Sequence, residues 1–141
     1  MSRPCILLLD DDFTIAEGMK ALLDREGIDL QWHSSPITLP IAVSRCRPDL
    51  ILLDLGIPAL SGASLVQTTQ RILKNRVPIV LFSGRGQREL SRLTEEFGVL
   101  GFISKGDDIN HMVASIRLYI EHIEAMKGVN DDATAAASSA A

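Results

Sequence analysis

The amino-acid sequence predicts an α/β fold, a doubly wound (βα)5 architecture with a five-stranded parallel sheet and helices on both faces. Three observations predict it. Short runs that are apolar nearly throughout recur at 5–9, 28–33, 50–53, 79–82 and 99–103, the pattern of strands covered on both faces. Segments with the period of amphipathic helices separate them. Strand–helix alternation repeated in this way favours parallel pairing with right-handed crossovers.

The first run, 5–9, leads into the acidic triplet Asp10-Asp11-Asp12. Over 13–27, Ile15, Met19, Leu22 and Leu23 share one helical face, and Gly27 supplies a stop. The second run is weaker. In 34–46, Ser35 and Pro36 can open a helix, but Pro40 then removes a donor one turn in, so the helix starts either at Pro36 or near Pro40. The third run ends at Asp54, and a helix over 63–74 follows with Leu65, Val66, Thr69, Ile72 and Leu73 on one face. The fourth run ends at Ser83-Gly84 and precedes a shorter helix over 87–97 with Leu90, Leu93 and Phe97. The fifth ends at Ser104-Lys105-Gly106. The last helix, over about 108–126, carries Ile109, Met112, Val113, Ile116, Ile120 and Ile123 on one stripe, with Gly128 as its expected end.

These limits place one folded domain in 1–127 and an unstructured Ala/Ser tail or linker in 128–141, where no apolar period survives. With 46% hydrophobic and 23% charged residues the composition is that of a water-soluble globular domain. A net charge of -4 leaves no electrostatic footprint for nucleic acid. The apolar N-terminal run is too short for a signal peptide or a membrane span, so a cytoplasmic location is expected. Cys5 and Cys46 are too few for a disulfide framework and read as two reduced thiols.

In a doubly wound sheet, ligands collect beyond the carboxyl ends of the strands. That rule selects Asp10-Asp11-Asp12, Asp54, Ser83 and Lys105 from four different strand ends. Clustered carboxylates repel one another, and a hard divalent cation with oxygen ligands, such as Mg²⁺, relieves the repulsion. A carboxylate beside the metal can act as a nucleophile toward phosphorus. A lysine can neutralise phosphoryl oxygens and a hydroxyl can hydrogen-bond one of them. Each residue alone also has a structural use, as a solvated turn, a helix N-cap or a surface group. Their convergence at alternate βα units carries the signal.

With those positions assembled, the sequence resembles the receiver domain of bacterial two-component response regulators, from about Pro4 to Glu124. Ile6 to Asp11 resembles the strand with the acidic pair, and Pro48 to Leu55 the strand that leads to the phosphoacceptor. Pro58 and Gly62 stand where the following loop carries Pro and Gly. Ser83-Gly84 resembles the switch hydroxyl and its small neighbour, and Phe102, three residues before Lys105, the switch aromatic. The resemblance implies strand order 2-1-3-4-5 and a chemotaxis-receiver-like, single-domain regulator. It implies Asp54 as phosphoacceptor, Mg²⁺ held by Asp11, Asp54 and the Gly56 carbonyl with Asp10 acting through water, and Lys105 paired with the acceptor. It implies Ser83 and Phe102 as the switch. Asp12 competes with this register, which Ile15 favours by its place on the first helix.

Three residues depart from the family pattern. Gly106 replaces the proline after the lysine, so the bond is either trans or more pliant. Gly56 is small, and Arg85 is large and charged, at two positions that influence phosphoryl hydrolysis in the family. The resemblance further implies a histidine kinase or histidine phosphotransfer protein as phosphodonor. It implies no enzyme activity beyond self-phosphorylation and self-dephosphorylation. Output falls on the face of the fourth helix, fifth strand and fifth helix, toward a protein target or a second copy, where Leu118 points away from the buried stripe with Tyr119 at its flank. The alternatives are a phosphorylation-independent docking module and a receiver excised from a larger regulator. A haloacid-dehalogenase-type phosphatase would carry a second Asp where Gly56 stands.

Overall fold

The computed structural model describes residues 3–56 and 61–140, with side chains through Val129. Pro58, expected in the loop after Asp54, lies outside the described residues. The elements run β1 (Cys5–Leu9), α1 (Phe13–Arg25), β2 (Asp29–His33), a 3-10 turn (Pro36–Thr38), α2 (Leu39–Cys46), β3 (Leu50–Asp54), α3 (Gly62–Leu73), β4 (Ile79–Ser83), α4 (Gln87–Phe97), β5 (Gly101–Ser104) and α5 (Ile109–Ala140). The strands pair in parallel in the order β2-β1-β3-β4-β5, as expected.

The parity of the strand residues builds two cores. Successive side chains on a strand point to opposite faces. Ile6, Leu8, Leu50, Leu52, Val80 and Phe82 therefore face one side and pack with Met19, Leu23, Met112, Ile116 and Ile120 of α1 and α5. Leu7, Leu9, Ile51, Leu53, Ile79 and Leu81 face the other and pack with Leu39, Leu65, Val66, Leu90 and Leu93 of α2, α3 and α4. Because both faces are covered, the strands read as continuous apolar runs. Full burial of each such side chain contributes about 1.5–3 kcal/mol.

The two prolines both sit at helix starts. Pro36 opens the 3-10 turn, where Ser35 Oγ accepts from the Ile37 N–H at 3.2 Å. Pro40 occupies the first turn of α2, where no intrahelical donor is needed. Gly27 and Gly98 terminate α1 and α4 with φ of 76° and 66°, the left-handed backbone that glycine adopts without steric cost.

Three expectations are corrected. The last helix does not end at Gly128; the α5 backbone stays helical to Ala140. One interior glycine costs about 1 kcal/mol, and the alanine-rich stretch that follows has high helix propensity. Cys5 and Cys46 are not free thiols but a disulfide joining β1 to α2. Parallel pairing brings the start of β1 beside the end of α2, a proximity that 41 residues of separation conceal. The fifth strand starts at Gly101 rather than Val99. Tyr119 of α5 lies against Gly101, where any Cβ would collide with the phenol.

No described helix is long and apolar enough to cross a membrane.

Candidate functional site

The register of the sheet sets the site. Leu9 pairs with Leu53, Asp54 with Phe82 and Ser83 with Ser104, so β1, β3, β4 and β5 end on one edge. Asp10 follows β1 and is fully buried. Its N–H donates to the His33 carbonyl at 3.1 Å. Its own carbonyl accepts the Trp32 indole N–H at 2.9 Å. These two contacts with β2 fix the Asp10 backbone. Asp10 Oδ1 accepts from the Asp12 N–H at 2.9 Å, while Oδ2 lies 2.7 Å from Lys105 Nζ and has no other partner among the described residues.

Asp54 ends β3 and is also buried. Its Oδ1 accepts from the Gly56 N–H at 3.0 Å, and Oδ2 lies 3.2 Å from Lys105 Nζ. Carboxylate oxygens of Asp10, Asp11 and Asp54 lie within 4.8 Å of one another, and Asp11 is exposed at the mouth. Asp12 stands apart as the N-cap of α1, its Oδ1 accepting from the Thr14 N–H at 2.9 Å. The acidic triplet is thus divided between a cap and a cluster.

Lys105 follows β5. Its N–H donates to the Ser83 carbonyl at 2.9 Å, which ties the lysine to the end of β4. Its ammonium sits 5.2 Å from the centroid of the Phe82 ring, held over an apolar floor. Ser83 is buried, and its Oγ accepts from the Arg85 N–H at 3.1 Å. Its hydroxyl hydrogen has no acceptor among the described residues. The Lys105–Gly106 bond is trans, the isomer a non-proline peptide adopts because the other costs about 2.5–4 kcal/mol. Phe102 is half-buried, and its carbonyl accepts from the Tyr119 hydroxyl at 3.3 Å.

The response regulator receiver domain model matches residues 6–117. The chain belongs to this family. Sporulation initiation phosphotransferase F of Bacillus subtilis is 23% identical over 120 residues, which are 85% of this chain and 96% of that protein. The DNA-binding response regulator MtrA of Mycobacterium tuberculosis is 32% identical over 117 residues, 82% of this chain and 50% of that protein. The chain spans about half the length of this DNA-binding regulator. The signal receiver domain of the putative Luxo repressor protein from Vibrio parahaemolyticus shares the fold, with a TM-score of 0.76 at 21% identity over 90% of this chain and 97% of that one.

The electrostatics of this receiver follow from burial. Asp10 is pushed up from 3.8 to about 6, chiefly because burial disfavours its charged form; the Lys105 ammonium and the Asp12 N–H pull it down, and the Asp54 charge adds to the rise. Burial pulls Lys105 down, but Asp10 and Asp54 together outweigh it and hold the ammonium above its usual range. Among the described residues this cluster of acids shares one cation, Lys105, and is short of positive charge.

A buried Asp10 Oδ2 with Lys105 as its one polar partner among the described residues, and three converging carboxylates, fit a hard divalent cation such as Mg²⁺. The sequence-predicted residues Asp10, Asp11, Asp54, Ser83 and Lys105 all come to one edge. Gly56 enters through its N–H, and a Cβ there would stand 3.5 Å from Asp54 Oδ1, so glycine leaves the carboxylate open to approach. Sequence reasoning missed Trp32, which holds Asp10, and Glu89, which pairs with Arg85, and placed Tyr119 only at the flank of Leu118. Only Glu89 carried a signal, its spacing of four from Arg85 at a helix start.

Proposed function

We propose that Asp54 is the phosphoacceptor of this receiver, taking a phosphoryl group from the phosphohistidine of a histidine kinase or histidine phosphotransfer protein. The observation that carries the proposal is Asp54 itself. It is a buried carboxylate at a strand end, ion-paired to Lys105 and open on its Gly56 side. An Asp54 oxygen attacks phosphorus, the phosphorus–nitrogen bond breaks, and the imidazole departs with its electron pair. Lys105 follows the charge from the carboxylate onto a phosphoryl oxygen, and the free hydroxyl hydrogen of Ser83 is donated to another. Asp11, Asp54 and the Gly56 carbonyl would hold Mg²⁺, with Asp10 through water. When bound, the ion would neutralise phosphoryl charge. Self-phosphorylation and self-dephosphorylation are the only chemistry proposed, in the cytoplasm.

Output is proposed at α4, β5 and α5, toward a protein partner or a second copy rather than nucleic acid. The Phe102 carbonyl and the Tyr119 hydroxyl join β5 to α5 beside Leu118, which is 63% exposed. Leu100, Phe102, Ser115, Leu118, Tyr119 and His122 line a cleft of about 440 Å³ there. Inward rotation of Phe102 would reshape this cleft.

The test is labelling by a small phosphodonor. Mg²⁺-dependent label that disappears in Asp54→Asn is the expected result. Full labelling of Asp54→Asn sinks the assignment.

A further inference from the structure

The Asp10 carbonyl stands where the sheet runs out. Backbone bonds between the parallel strands β1 and β2 recur at every second residue. The Asp29 N–H donates to the Pro4 carbonyl at 2.9 Å at one end, and the Asp10 N–H donates to the His33 carbonyl at 3.1 Å at the other. In that series the next donor, for the Asp10 carbonyl, is the Ser35 N–H. But β2 ends at His33, and Ser35 caps the 3-10 turn that carries the chain onward. The Trp32 indole takes that place, donating to the Asp10 carbonyl at 2.9 Å. Asp10 is fully buried, and a buried carbonyl without a donor is costly.

The same side chain meets the far end of the acidic triplet. The Phe13 ring lies edge-on to the Trp32 ring, with centroids 5.0 Å apart and planes at 65°. Phe13 is 55% exposed, so the indole and not the core gives it its place. Trp32 itself packs on the α1 side of the sheet, in the cluster of Leu8 and Leu30. One indole thus spans Asp10-Asp11-Asp12, by a hydrogen bond at one end and a ring contact at the other. The span matters because the carboxylates of Asp10, Asp11 and Asp54 converge and repel one another. Lys105 pairs with Asp10 and Asp54 but not with Asp11, which lies between the two anchor points. A cation binds more tightly to ligands that already converge, because less ordering remains to be done.

We propose that Trp32 is a positioning residue of the divalent-cation site, and that its indole N–H and its contact with Phe13 keep Asp10 and Asp11 gathered against Asp54. The proposal rests on the reading of these three acids as the Mg²⁺ site and adds the residue that pre-organises them.

Mg²⁺ affinity tests it. Mg²⁺ is titrated into the full chain and followed by the amide resonance of Gly56, whose N–H donates to Asp54 Oδ1. Trp32→Phe keeps a ring against Phe13 and removes the N–H. It is expected to weaken Mg²⁺ about tenfold, the scale at which residues behind metal ligands act. Phe13→Ala, a change at an exposed position, is expected to weaken it about threefold, the scale of an aromatic pair. In the Asp10→Asn background the effect of Trp32→Phe should fall to less than about twofold. The chain has one tryptophan, so its indole resonance assigns itself and should shift with the same Mg²⁺ midpoint as Gly56. An unchanged affinity in Trp32→Phe, with stability alone reduced in urea, would overturn the proposal, because Trp32 would then only pack. A tenfold loss that persists undiminished in Asp10→Asn would overturn it too, since Trp32 would act elsewhere. Unchanged affinity in Phe13→Ala would overturn the second anchor. If the unaltered chain binds Mg²⁺ no better than Asp54→Asn does, the metal site itself falls and the proposal with it, an outcome distinct from the others.

Discussion

Replacing Asp10 by asparagine should stabilise the metal-free receiver, and by an amount that depends on pH. The Asp10 carboxyl is raised from 3.8 to about 6 by burial. A folded-state value above the unfolded one means that the protonated form fits the fold better. Its stabilising contribution is complete below pH 3.8 and is lost as pH rises through about 6. A rise of that size corresponds to about 3 kcal/mol, at about 1.4 kcal/mol per pH unit. The asparagine side chain would be neutral throughout and keep the acceptor for the Asp12 N–H, and Lys105 would keep Asp54. In chelator, the variant should therefore gain about 3 kcal/mol over the unaltered chain at about pH 8, on the order of 10 °C in Tm for a domain of this size. At about pH 4 the gain should nearly vanish. Thermal and urea denaturation at the two pH values measure it. With Mg²⁺ the order should narrow or invert, because binding stabilises only the chain with the intact acid cluster. A gain of equal size at both pH values would refute the reasoning, since it would then come from packing rather than from an ionised, desolvated carboxylate.

Two further outcomes follow from packing and cross-linking. Gly101→Ala should cost about 1–3 kcal/mol by urea denaturation, because its Cβ meets the Tyr119 phenol. Tyr119→Phe should recover part of that loss by removing the nearest atom. The Cys5–Cys46 disulfide closes a loop with a sequence separation of 41, for which chain entropy gives about 4 kcal/mol. The oxidised chain should melt well above the reduced one, and Cys46→Ser should abolish the difference.

The sheet was legible because a strand covered on both faces has to be apolar at both parities, as 50–53 and 79–82 are. The site was legible because a parallel sheet gathers its strand ends, which selected Asp10, Asp54, Ser83 and Lys105 before any contact was visible. What escaped the sequence was tertiary. The division of labour between Asp11 and Asp12 depends on which carboxylate caps α1. Tyr119 lies over Gly101 at the start of β5, and no local propensity encodes that contact. The pairing of Cys5 with Cys46 needs the register of β1 against α2. The continuation of α5 past Gly128 reflects the helix propensity of the alanines beyond it, which outweighs a single glycine.

The central claim is that Asp54 forms the acyl phosphate. Its most direct measurement is borohydride reduction of the phosphorylated chain, which converts an aspartyl phosphate to homoserine, followed by peptide mass mapping. The account predicts homoserine at position 54 alone, formed only when phosphodonor and Mg²⁺ are both supplied. Reduction at Asp10, Asp11 or Asp12 with Asp54 intact would contradict it.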